Sequence, residues 1–179
     1  MTIYCSLYDK PIDSGANDIS IVFTSTPFTI NEFVRPAALP KSSKFEIPTD
    51  AKTMVSGFGY TEKGEPSEKL QYAQIRIRPS RYCKNRRDGK FDEEKFLCGI
   101  GREMTPVAHQ DACKNDSGGP LIAKVLDENQ EEKFTLVGIV ASGGGLKSES
   151  GVFHKCGTFG VYTKVSKYLD FIRDPVHNY

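Results

Sequence analysis

The chain contains no tryptophan and only three histidines among its 179 residues. No stretch approaches the roughly eighteen apolar residues of a transmembrane helix, so no membrane partner is expected. Lysine and arginine number 24 against 23 aspartates and glutamates, and this near-balance argues against a nucleic-acid partner. There is no Cys-x-x-Cys and the histidines are scattered, so no metal or cofactor is expected. Internal repeats and low-complexity runs are also missing. The opening Met-Thr-Ile-Tyr-Cys-Ser has neither the basic nor the apolar segment of a secretory signal.

What is present suits one domain with a real core. Sixteen glycines and ten prolines fit a turn-rich β protein. Five cysteines (Cys5, Cys83, Cys98, Cys113 and Cys156) read as two disulfides plus one thiol without an internal mate. That usage implies an oxidising compartment, in tension with the missing signal. Together these features suggest a chain that has lost its front end, from an extracellular parent.

Ile19, Ile21 and Phe23 alternate with Ser20 and Val22, which predicts a strand with one apolar face. Pro36, Pro40 and Pro48 punctuate the next segment. Leu70 to Ile77 has strand composition and opens a basic cluster of Arg76, Arg78, Arg81, Lys84, Arg86, Arg87 and Lys90, read as a solvated face in preference to an exosite. Leu121 to Val125 and Phe134 to Val140 are apolar runs split by charged residues, the pattern of a hairpin. Gly160 to Val165 reads as a last strand, followed by a helix over Lys167 to Arg173 with Ser166 as its N-cap.

Asp111-Ala112-Cys113-Lys114-Asn115-Asp116-Ser117-Gly118-Gly119-Pro120-Leu121 is the most specific stretch. Two glycines beside a serine allow a tight turn that exposes the hydroxyl, and such a serine is a nucleophile if a base reaches it. The stretch resembles the active-site serine segment of the chymotrypsin-like serine proteases (the trypsin-like peptidase family S1). Met54-Val55-Ser56-Gly57-Phe58-Gly59 resembles that family's Val-Ser-Gly-Trp-Gly segment, with Phe58 in the tryptophan's place. Asn17-Asp18-Ile19 before an apolar strand looks like the segment carrying its catalytic aspartate. Asp18 lies 99 residues before Ser117, against about ninety in the family's triad.

The resemblance implies an all-β, chymotrypsin-like double β-barrel with the first barrel incomplete, the second complete and a short C-terminal helix. Residues 1–48 would be the remnant of the first barrel with the inter-barrel connector, and 49–179 the second barrel. It also implies the disulfides Cys83–Cys98 and Cys113–Cys156.

Residue by residue, the resemblance makes Ser117 the nucleophile, Asp18 the orienting carboxylate, and the N–H groups of Asn115 and Ser117 the oxyanion donors. The family usually has glycine where Asn115 stands, and asparagine tolerates the positive φ required there. Asn115-Asp116-Ser117 is also a glycosylation sequon, expected to be empty on the ground that the turn is buried. Asp111 would floor a primary specificity pocket for arginine or lysine, with Ser142, Gly143 and Gly160 along its substrate-binding wall. Asp116 would pair with an N-terminal amine freed by zymogen cleavage. Without that amine it would be an unpaired buried charge and its loop disordered.

The base is missing from this pattern. The family's histidine lies roughly forty-five residues before the aspartate, and counting back from Asp18 passes Met1. His109, His154 and His177 have none of the family's context and are read as structural. The expectation is a serine endopeptidase cleaving after arginine or lysine, inactive as this chain alone, with a polypeptide substrate and proteinaceous inhibitors as partners. The alternative is a non-catalytic protease homologue that acts by binding.

Overall fold

A computed structural model describes residues 2–4, 17–61, 64–105, 108–147 and 153–174. Cys5, His177 and Pro175 lie outside the described residues. Its centre is a closed six-stranded antiparallel barrel in the order β10-β5-β4-β3-β8-β9. The strands are β3 (Lys52–Gly57), β4 (Gln71–Arg78), β5 (Phe96–Gly101), β8 (Pro120–Leu126), β9 (Glu132–Lys147) and β10 (Phe153–Lys164). Two small ribbons flank it: β1 (Thr2–Tyr4) with β2 (Ile21–Phe23), and β6 (Glu103–Thr105) with β7 (Ala108–His109).

Alternation builds the barrel. Ala73, Ile75 and Ile77 of β4 point inward, while Tyr72, Gln74 and Arg76 face water. Val55, Leu97, Leu121, Val137, Val140 and Tyr162 complete the interior, and Leu121 and Tyr162 are fully buried. Each such aliphatic side chain contributes about 1.5–3 kcal/mol. Closure pairs every barrel strand on both sides and removes the exposed edges of an open sheet.

The expected hairpin forms from β8 and β9, turning where Asp127 Oδ1 accepts the Asn129 and Glu131 amides. Both expected disulfides are present. Cys83–Cys98 staples helix α1 (Ser80–Arg86) to β5, and Cys113–Cys156 ties the serine segment to β10.

Three expectations need correcting. The last strand is longer than the apolar run from Gly160 suggests, because the β9–β10 ladder continues from Phe153↔Lys147 to Lys164↔Gly138. Ser166 is not an N-cap: β10 turns directly into a 3-10 helix (Val165–Tyr168) and then α2 (Leu169–Arg173). That turn buries Ser166, and its hydroxyl has no hydrogen-bond partner among the described residues. The strand around Ile21 is also short, and its apolar face is incomplete. Ile19 is buried against Tyr168 and Phe171, whereas Phe23 is exposed.

The proline-punctuated connector is part of the barrel's packing. Ala38 bridges to Thr135 on β9, Ile47 enters the core, and Glu46 accepts from the buried Lys164 ammonium at 3.0 Å.

Candidate active site

The serine segment is held by backbone bonds to β9. Gly118 donates to the Val140 carbonyl at 2.9 Å, and Val140 donates to the Gly119 carbonyl at 2.9 Å. Gly118 has φ 83°, a left-handed geometry that costs glycine little. Ser117 is exposed at the crest, and no described residue hydrogen-bonds its hydroxyl. Asn115 takes φ 74°, the geometry the sequence requires of it. The amides of Asn115 and Ser117 have no acceptor among the described residues. Asn115 and Ser117 are both exposed, so burial does not exclude a glycan.

Asp116 is neither unpaired nor in a disordered loop. Its Oδ1 accepts the Gly59 amide at 2.8 Å and its Oδ2 the Cys113 amide at 2.9 Å. Gly57 and Gly59 make room for it: a Cβ on Gly59 would stand 2.5 Å from both carboxylate oxygens. Backbone donors thus hold this carboxylate where the sequence offers no cationic side chain.

Asp111 lies six residues before Ser117, between β7 and the Cys113 disulfide. Its Oδ1 accepts from the Tyr162 hydroxyl at 3.0 Å and the Ala112 amide at 2.8 Å. A Cβ on Gly160 would come within 2.8 Å of that oxygen and 2.5 Å of the Tyr162 hydroxyl, so the glycine lets these two side chains meet against β10. Burial raises the Asp111 pKa to about 7 against the two hydrogen bonds, and the nearby Asp116 charge adds to the rise. Burial, then the charge of Asp111, push the Tyr162 phenol well above its usual value. Tyr162 is a site residue that the motif reading missed. The available signal was its place two residues after Gly160, on the same face of β10.

Gly143 pairs with Gly160 across β9 and β10, and Ser142 pairs with Val161. Of these, Gly160 adjoins Asp111. Arg87 Nη1 donates to Ser142 Oγ at 2.9 Å, a contact the sequence did not suggest.

Asp18 is anchored to the same ladder. Its carbonyl accepts from the buried Thr163 hydroxyl at 3.0 Å. Tyr168 donates to Asn17 Oδ1 and accepts the Asn17 amide. Thr163 pairs with Ile139, the rung beside the Tyr162–Val140 pair that receives the serine loop. Partial burial raises the Asp18 carboxyl above its usual range. Of the histidines, His109 lies on β7 with its backbone opposite Glu103, and His154 lies on β10. No group of histidine, cysteine and carboxylate with metal-binding geometry occurs among the described residues.

A family model described as Trypsin matches residues 3–172. The chain is similar to Phenoloxidase-activating factor 3 of Holotrichia diomphalia, at 30% identity over 174 residues, covering 94% of this chain and 44% of that protein. It is also similar to Complement C1s subcomponent of Sus scrofa, at 30% identity, covering 88% of this chain and 22% of that protein. Against Ovochymase of Halocynthia roretzi the identity is 28%, covering 92% of this chain and 10% of that protein. The chain therefore spans less than half the length of these curated relatives. With the serine segment, both disulfides and the closed barrel in place, the family match covers nearly all of the sequence, and the chain belongs to the trypsin family of serine proteases.

Proposed function

We propose that this chain carries the nucleophile and specificity half of a serine endopeptidase that cleaves after arginine or lysine. The observation that carries this reading is Asp111: a carboxyl with raised pKa packed against Gly160, six residues before Ser117, where the resemblance puts the floor of a recess. An arginine or lysine side chain entering the recess would supply the counter-charge that burial withholds.

In this reading Ser117 Oγ attacks the carbonyl carbon of the scissile bond. The amides of Asn115 and Ser117 donate to the oxyanion, and the left-handed Asn115 aims the first of them. Removing one such donor in a comparable site costs about 10²–10³ in rate. Asp18 would orient a histidine that takes the serine proton. In this reading none of His109, His154 and His177 takes that role, and the chain alone is expected not to turn over. Residues 1–48 act as the remnant of a first barrel and 49–179 as the second. The two disulfides suit an extracellular protein.

Purified chain is expected to bind a peptide containing one arginine at least tenfold more tightly than its glutamine counterpart, with the preference lost in Asp111→Asn. It is also expected to leave arginine esters uncleaved. Ester turnover abolished by Ser117→Ala would show that another base serves. The alternative, a protease homologue that only binds, is favoured by the Ser117 hydroxyl having no hydrogen-bond partner among the described residues.

A further inference from the structure

A groove of about 590 Å³ lies over the part of β9 that pairs with Phe159 and Gly160. Its floor is the small-residue run Ser142, Gly143 and Gly144, with Phe159 beneath, and its wall is Arg86 and Arg87. Gly143 lines this groove, and its ladder partner Gly160 adjoins Asp111.

The two arginines are placed rather than trailing in solvent. Arg86 Nη1 donates to the Tyr82 carbonyl at 3.2 Å, and its guanidinium stacks 3.7 Å from the Tyr82 ring centroid. Arg87 is tied to Ser142 Oγ. Both sit at the end of α1, which the Cys83–Cys98 disulfide fixes to β5. Among the described residues this pair has no acidic partner, whereas Arg78, Lys124, Lys133, Lys164 and Lys167 all have carboxylate partners.

An extended chain has a place to lie here. β8 leaves β9 at the Pro120–Ile139 rung, and β10 occupies the other side of β9. Ser142 to Gly144 therefore keep one backbone edge without a strand partner among the described residues. An added peptide strand can hydrogen-bond such an edge.

We propose that Arg86 and Arg87 form a binding subsite for an acidic side chain of the polypeptide bound along Ser142–Gly144. This inference rests on the reading of the Asp111 recess as the seat of a basic side chain. The carboxylate would lie within about four residues of that basic residue, since strands advance about 3.3 Å per residue. A guanidinium fork matches a carboxylate bidentately, and two such forks around backbone-lined space favour glutamate or aspartate over their amides. The basic cluster near α1 thus divides: Arg78 is consumed by Asp50, while Arg86 and Arg87 face a groove.

The test measures binding of the full chain to fluorescent peptides with one arginine and a glutamate scanned over four positions on each side, against glutamine controls. A second set replaces the arginine with norleucine. At one or two adjacent positions glutamate is expected to tighten binding at least fivefold, and the gain should shrink as salt rises. It should disappear in Arg86→Gln/Arg87→Gln and persist in Arg81→Gln, an exposed arginine on the same helix. Should the double variant melt without cooperativity, the exposed single change Arg86→Gln carries the test, with part of the gain lost.

Glutamate gaining nothing at any position, or a gain that survives loss of both arginines, overturns the subsite. Arginine selectivity without a glutamate gain removes the subsite alone. A glutamate gain in both peptide sets, without arginine selectivity, removes the Asp111 reading and leaves the subsite standing. No binding by any peptide overturns both.

Discussion

The barrel and the segment before it are built from similar residues but stabilised very differently. In the barrel, Leu121, Val161 and Tyr162 are completely buried and each strand is paired on both sides. In the segment from Ile21 to Leu39, Phe28, Ile30 and Phe33 are 73%, 60% and 87% exposed. Its strand β2 pairs with β1, and it reaches the barrel's sheet through the Ala38–Thr135 bridge. The candidate site is divided along this line. Asp111, Asn115, Asp116 and Ser117 belong to the covered region, held by backbone amides, a tyrosine and a disulfide. Asp18 stands at the thin end, attached through Thr163 and Tyr168. The serine segment is therefore tied into the barrel, while Asp18 stands where few apolar side chains are covered.

Breaking the staple of the covered region should have the largest effect. Cys113 and Cys156 enclose a separation of 43 residues, and replacing both with serine is expected to cost about 4 kcal/mol in urea unfolding. Leu121→Ala should cost about 3 kcal/mol, while Phe33→Ala should stay within about 0.5 kcal/mol. Similar losses at Leu121 and Phe33 would erase the contrast between the regions.

A pH series sharpens the comparison inside the barrel. Asp111 is raised in the folded state, so that state holds its proton more tightly than the unfolded chain does. Stability is then expected to fall as pH rises from about 4 to about 7, by a few kcal/mol at most. Asp111→Asn should flatten that slope and be the more stable protein at neutral pH. The smallest effect belongs to the surface. Breaking Lys124–Glu132, a 2.7 Å pair with both side chains more than half exposed, should change stability by less than about 1 kcal/mol.

Local signals were legible in the sequence: alternation in β4, the charged turn between β8 and β9, and the glycine turn after Ser117. The disulfide pairs and the Asp111 recess came from the resemblance. Contacts with no local signature were not legible. Tyr162 reaches Asp111 across 51 residues, and Arg87 reaches Ser142 across 55. The expectation that Asp116 is stranded without an N-terminal amine overlooks its partners, two backbone amides that residue types do not announce. Ser166 had cap chemistry but the wrong neighbour, since the chain bends through a 3-10 turn that buries it.

In the function we propose, Asp111 receives a cationic group and gives up its proton when one arrives. Calorimetric titration of benzamidine, an amidinium that stays charged from pH 5 to 8, measures this directly. The expected affinity rises about tenfold per pH unit up to about 7, levels off above it, and is lost in Asp111→Asn. An affinity independent of pH, or one that survives Asp111→Asn, would contradict the account.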